Sequence, residues 1–163
     1  MGIAALDRVL GFEDAYAHCD IPCGIYDPHM AQLSAHTVIR MIDLASALPT
    51  DPSKITAEDR EKFVRYVHVK EEHAATVKDE VRIIWGDYFK PEHIKAHPEL
   101  HELVWNIMKG GSKAKQTLDI KAAEELLENV QRFAEIFWET KNVKTKRAKS
   151  FYPTERTFVY PQV

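Results

Sequence analysis

Residues 119–140, DIKAAEELLENVQRFAEIFWET, carry the pattern that decides the fold. Ala122, Ala123, Leu126, Leu127, Val130, Phe133, Ile136 and Phe137 all fall on one side of a helix with about 3.6 residues per turn. Asp119 stands at the N-cap, where a carboxylate can accept from the unpaired N–H groups of the first turn. So broad an apolar stripe needs partners, and the chain upstream supplies them. Residues 28–48 repeat the spacing with Leu33, Val38, Met41, Ile42 and Ala45, behind Asp27 as N-cap and Pro28 at the first helical position. A further helix is predicted behind a weak capping box, Thr56 and Asp59; it carries Phe63, Val64, Val67, Val77 and Val81, runs to Trp85 and is expected to end at Gly86. Residues 87–100 form a structured link with a short helical turn after Pro91. Pro98 then opens a helix bearing Leu100, Leu103, Val104 and Ile107, which Gly110-Gly111 is expected to stop.

Four such helices with short links predict an all-α fold, an antiparallel four-helix bundle. The 163 residues suffice for one domain, and 45% hydrophobic with 29% charged residues excludes a disordered chain. No apolar run is long enough to span a membrane, so no membrane partner is expected. A net charge of -3 gives no global argument for nucleic acid. From Asn142 the periodicity stops. NVKTKRAKS and FYPTERTFVYPQV read as a C-terminal extension, 142–163, whose basic run is expected to be a solvated tail because no nucleic-acid motif surrounds it. At the other end, Ile3, Leu6, Val9 and Leu10 alternate with Asp7, Arg8, Glu13 and Asp14, which lacks the positive start and unbroken apolar core of a secretory signal. Ala15-Tyr16-Ala17 nevertheless looks like a small-residue cleavage site. Residues 1–17 are therefore either a leader, cut by a dedicated protease, or an ordinary amphipathic first helix, and a cytoplasmic location is expected.

Chemistry concentrates in residues 18–28, HCDIPCGIYDP. Pro22, Gly24 and Asp27-Pro28 bar regular helix here. Both cysteines of the chain, Cys19 and Cys23, lie in this turn directly after His18. Spacing alone leaves open a buried thiol pair, a reversible disulfide or generic metal binding. A structural zinc site wants four protein ligands, and two thiols spaced C-x-x-x-C do not supply them. The remaining histidines read as surface or hydrogen-bonded groups. Glu never stands three residues before a histidine, which argues against a di-iron bundle with its Glu-x-x-His pairs.

The string HCDIPCGIYDP resembles the nickel-binding hook of the nickel superoxide dismutases, whose mature chains begin at this histidine. WGDYFKPEHIKAHPELHEL, residues 85–103, is similar to that family's middle segment, and IFWETK, residues 136–141, to its end. The resemblance implies a leader at 1–17, a hook-and-bundle domain at 18–141, a leader-processing protease, superoxide as substrate and assembly as a homohexamer. It implies a nickel ion held by His18, Cys19 and Cys23. Two thiolates, the backbone nitrogen of Cys19 and the α-amine of His18 suit square-planar Ni(II), and an axial His18 imidazole favours the higher state in Ni(II)/Ni(III) cycling. By the same resemblance Tyr26 limits access to the metal, Asp20 holds the hook against the body, and Tyr88 and Lys90 lie near the hook, Lys90 adding positive charge for an anionic substrate. One departure stands out: the family's Glu and Arg that support the axial imidazole correspond here to Ser34 and His73. A rival reading from another class is a helical metal-binding or redox-sensing module that keeps the hook without dismutation. A third is a helical interaction protein using the KTKRAK run.

Replacing Cys19 or Cys23 by Ser is expected to abolish nickel uptake and dismutation while leaving the helical content unchanged, because the chain holds no other thiolate donor. Metal analysis beside far-ultraviolet circular dichroism checks this, and full activity in either variant would sink the nickel assignment.

Overall fold

The computed structural model describes residues 24–162. Helix α1 spans His29–Ser46, α2 Ala57–Ile83, α3 Pro91–Ala96, α4 Leu100–Gln116 and α5 Ile120–Thr140. The start signals act as their chemistry dictates. Helix α1 begins one residue later than expected, with Pro28 at the N-cap position, and the Asp27 carboxylate accepts from the His29 N–H at 2.8 Å just ahead of it. Thr56 and Asp59 form a full capping box for α2, with Asp59 N–H to Thr56 Oγ1 at 3.1 Å and Thr56 N–H to Asp59 Oδ2 at 2.9 Å. Asp119 caps α5 by accepting from Ala122 N–H at 3.2 Å. In space α1 packs on α2 and α5, α2 on α4, and α4 on α5, closing a ring of four antiparallel helices in which the short α3 is a link. Phe133, Phe137, Ile39, Ile42, Leu100, Ile107 and Leu126 fill its centre.

Three further sequence expectations are corrected. Gly86 does not end the second helix. The chain passes through it in a π-helical turn, Ile84–Tyr88, and becomes extended only at Phe89 and Lys90, as the residues before Pro91 require. Nor does Gly110-Gly111 stop α4, which continues to Gln116. A Cβ on Gly111 would stand 2.8 Å from Lys78 Cγ and 3.4 Å from the Ala74 carbonyl of α2, and one on Gly110 3.3 Å from Leu126 of α5. The two glycines let α4 lie close to both neighbours, and packing outweighs their poor helix propensity of about 1 kcal/mol each. The end of α4 is instead tied by Lys70, which is 2% exposed and donates to the carbonyls of Ala114, Lys115 and Thr117. An ammonium on α2 thus satisfies the orphan carbonyls of α4.

The third correction concerns the C-terminal extension, which is not a solvated tail. Helix α5 ends in a Schellman motif: Asn142 takes φ 57°, its N–H donates to Glu139 O, and Val143 N–H donates to Trp138 O. Strands β1, Thr145–Lys149, and β2, Thr157–Pro161, then form an antiparallel hairpin with Thr145 opposite Pro161 and Lys149 opposite Thr157. It lies on α1 and α5. Phe158 and Val159 are each 1% exposed. Arg147 reaches from β1 to Glu128 and Glu135, and Arg156 to Glu124, at 2.5–2.6 Å. Arg147 of the basic run thus faces acidic residues of α5, while Lys149 pairs with Glu155 within the hairpin. On the other side His36 of α1 is buried between two hairpin groups, with Nε2 at 3.0 Å from the Thr157 carbonyl and Nδ1 at 2.8 Å from the Thr154 hydroxyl. A carbonyl only accepts, so Nε2 carries the proton and Nδ1 accepts from Thr154.

Burial lowers the His36 pKa below its ordinary 6.5; the Arg156 charge acts in the same sense, and the bond to Thr157 opposes it. The unfolded chain therefore binds more protons, and stability rises with pH across this window. The contribution is complete above about pH 6.5 and is lost as the pH falls through the lower folded value. Urea unfolding at a series of pH values is expected to show lower stability in acid, and His36→Gln should flatten that slope; equal slopes would contradict the assignment.

Candidate functional site

The expected hook residues His18, Cys19, Asp20 and Cys23, and the leader expected at 1–17, lie outside the described residues. The described chain begins at Gly24, whose φ of 80° is one that an L side chain rarely adopts, so a tight turn follows Cys23 directly. Ile25 is exposed, and Tyr26 turns back onto the bundle, its ring 5.8 Å from that of Tyr88. Pro28 is buried beneath the first turn of α1. The segment that leaves the hook is thereby fixed against the helices.

Tyr88 is set by the π turn at the end of α2. Its ring packs on Phe137 of α5 at 4.8 Å and stacks on His93 of α3 at 5.6 Å, with interplanar angles of 50° and 19°. Thr140 donates its hydroxyl proton to the Phe137 carbonyl at 2.7 Å, so the Tyr88 hydroxyl, 2.8 Å from Thr140 Oγ1, is the donor in that pair. The Lys141 ammonium sits 4.9 Å from the Tyr88 ring centroid and 5.1 Å from that of Phe137, within cation–π range. Lys90 is exposed at the start of α3 and engages the cluster through its backbone: its N–H donates to His93 Nδ1 at 3.1 Å, which fixes the ring stacked on Tyr88. The result is an aromatic floor with a cation at its edge.

Of the sequence-predicted residues, the structure brings Tyr26 and Tyr88 together and leaves Lys90 at the surface two residues beyond. Ser34 and His73 also meet: Ser34 is fully buried, and His73 Nδ1 lies 3.4 Å from its Oγ across the α1–α2 contact. Sequence reasoning missed His93, Phe137, Thr140 and Lys141 as partners of Tyr88. All four lie inside the stretches quoted above, in KPEH and IFWETK, but only the folded ring juxtaposes them. Among the described residues no group of three or more His, Cys, Asp or Glu side chains could hold a metal ion, and no helix is long and apolar enough to cross a membrane.

The family described as nickel-containing superoxide dismutase matches residues 13–141. The chain belongs to that family. The nickel superoxide dismutases of Streptomyces seoulensis and Streptomyces coelicolor are each 37% identical to it over 126 residues, covering 77% of this chain and 88% of theirs. Among solved structures, native nickel superoxide dismutase is similar with a TM-score of 0.66 and 36% identity, over 76% of this chain and 99% of that one. A second, with nickel ligation corresponding to the oxidized state, gives a TM-score of 0.66 and 35% identity, over 77% of this chain and 99% of that one. The family match includes the hook and the whole bundle and ends at Lys141, before the hairpin.

Tyr88→Phe keeps the ring stack and removes the bond to Thr140. It is expected to cost about 0.5–1.5 kcal/mol, the usual net worth of one hydrogen bond, read as a lower urea midpoint with unchanged slope.

Proposed function

We propose that this chain is a superoxide dismutase that becomes active when residues 1–17 are removed, with nickel held by the His18 α-amine and imidazole, the Cys19 thiolate and backbone nitrogen, and the Cys23 thiolate. The donor set would fit that metal, because two soft thiolates and nitrogen donors within six residues of sequence are the ligand types that nickel takes. The observation that carries the reading is the continuity of the chain: the two-thiol turn runs through Gly24 into Tyr26, which docks on Tyr88. When bound, nickel supplies one-electron chemistry between its +2 and +3 states, so that two superoxide ions and two protons become dioxygen and hydrogen peroxide.

The chain's own residues do the rest. Tyr26 limits what approaches the hook, and it is held by ring contact with Tyr88. The Tyr88 hydroxyl proton is engaged by Thr140, so Tyr88 acts as a wall and support for Tyr26. Lys141 over the Tyr88 ring and Lys90 at the surface place positive charge beside the aromatic floor, which favours an anionic substrate. Asp20 fastens the hook to the body. Ser34 and His73 form the pair behind α1 that backs the His18 imidazole, a hydroxyl–imidazole contact where the family resemblance expects carboxylate and guanidinium. Domain 18–141 assembles as a homohexamer in the cytoplasm after a protease removes the leader, and burial of the hook between subunits protects its thiolates from oxidation by the peroxide they help to form.

The α-amine exists as a donor only when the chain starts at His18. Its pKa of about 8 lets it lose a proton to the metal near neutrality, whereas the peptide nitrogen of an uncut chain is a far weaker donor. Purified full-length chain and chain beginning at His18 are compared for bound nickel and superoxide consumption. The cut form is expected to bind one nickel and turn over, and the uncut form to do neither. Equal activity overturns the role of the amine; no nickel in either form overturns the function.

A further inference from the structure

We propose that the C-terminal hairpin is a positioning brace for the segment that joins the hook to α1, acting through Phe158 on His29 and through Val159 on Gln32; as a statement about the hook it rests on the nickel reading above. The hairpin lies beyond the family match, which stops at Lys141, so its effect on the site is a feature this chain adds to the shared bundle.

Three turns of α1 face the hairpin, at His29, Gln32 and His36. The His29 ring lies 5.1 Å from that of the fully buried Phe158. The Gln32 side chain, 1% exposed, pairs both ways with one backbone unit of β2: its amide nitrogen donates to the Val159 carbonyl at 3.2 Å, and its oxygen accepts from the Val159 N–H at 2.8 Å. His36 binds Thr154 and Thr157 one turn further on. Apolar contact alone could slide along the helix, whereas a two-way amide pair in a buried setting has one register. Gln131 of α5 repeats the device from the other side, donating to the Thr157 carbonyl and accepting from the Thr157 hydroxyl. The hairpin is therefore locked to two helices at once.

The leverage on the site follows from spacing. Asp27 accepts from His29 N–H, Pro28 is buried, and Tyr26 rests on Tyr88, so residues 26–29 are held by Tyr88 through one ring and by Phe158 through another. Removing the Phe158 contact leaves residues 26–29 held by the Tyr88 ring alone, so the first turn of α1 opens more often. The bundle core, centred on Phe133 and Phe137, does not depend on the contact.

The test uses the metal-free full chain and, separately, the chain beginning at His18. Amide hydrogen exchange is followed in Phe158→Ala, in the conservative Phe158→Tyr, and in His29→Ala, which removes the contact from its exposed side and leaves the core intact. Phe158→Ala and His29→Ala are each expected to speed exchange across residues 26–32 about tenfold, with α4 and α5 unchanged, and the double variant should add little to either single one. Phe158→Tyr should restore slow exchange. In the chain beginning at His18 both alanine variants are expected to weaken nickel binding about tenfold, roughly 1.4 kcal/mol, with the rescue in Phe158→Tyr. Unchanged exchange at 26–32, or faster exchange spread evenly over α4 and α5, would overturn the brace. If the parent chain takes up no nickel, the nickel reading falls, and the exchange data still decide whether the hairpin braces this segment.

Discussion

The apolar face of α5 is too broad for any single neighbour to cover, and the architecture follows from that constraint. Burial along it runs from Ala122 and Ala123 through Leu126, Val130 and Phe133 to Phe137, and takes in Gln131 and Ala134 on its flank. Helices α1 and α4 cover two sides, and the hairpin covers the third. Each large side chain so buried contributes roughly 1.5–3 kcal/mol, which makes ring closure the dominant favourable term. The site grows out of this helix. Phe137 is the floor for Tyr88, Thr140 holds the Tyr88 hydroxyl, and Lys141, the C-cap residue of α5, brings the cation.

What could be read from the sequence follows from how local each cause is. All four bundle helices are visible in their apolar spacing, and the Thr56–Asp59 and Asp119 caps are visible because capping involves residues a few positions apart. The glycine signals misled because a missing Cβ reads as a helix end in one dimension and as a close approach in three: only the fold shows Lys78 and Leu126 against Gly111 and Gly110. The hairpin was missed because TKRAK has no apolar alternation; its Arg147 faces Glu128 and Glu135, which belong to the preceding helix. Tyr26 and Tyr88 could be singled out by family resemblance, whereas their partnership with His93, Thr140 and Lys141 arises from three elements converging.

Polar groups in the interior are used for register. Lys70 ties α2 to the end of α4, Ser34 faces His73 between α1 and α2, and Gln32, His36 and Gln131 fasten the hairpin. Leucines in these places would bury as well and would specify less, because an apolar face tolerates several rotations and a paired amide tolerates one. Such groups mark the contacts where a helix must stop at a given angle, and Gln32, Ser34 and His36 among them lie on α1, the helix that follows the candidate hook.

The bond between Gln32 and Val159 joins residues 127 positions apart. A ribosome adding roughly 5–20 residues per second makes the second partner on the order of ten seconds after the first. Throughout that interval the outer face of α1 is bare, with a glutamine and a histidine turned to water and no aromatic seat for His29. The bundle can assemble helix by helix as it emerges, but the anchoring of its first turn waits for a strand made last. The turn that enters α1 is thus at its loosest early in the life of the molecule, and it is drawn tight by a strand made many seconds after it.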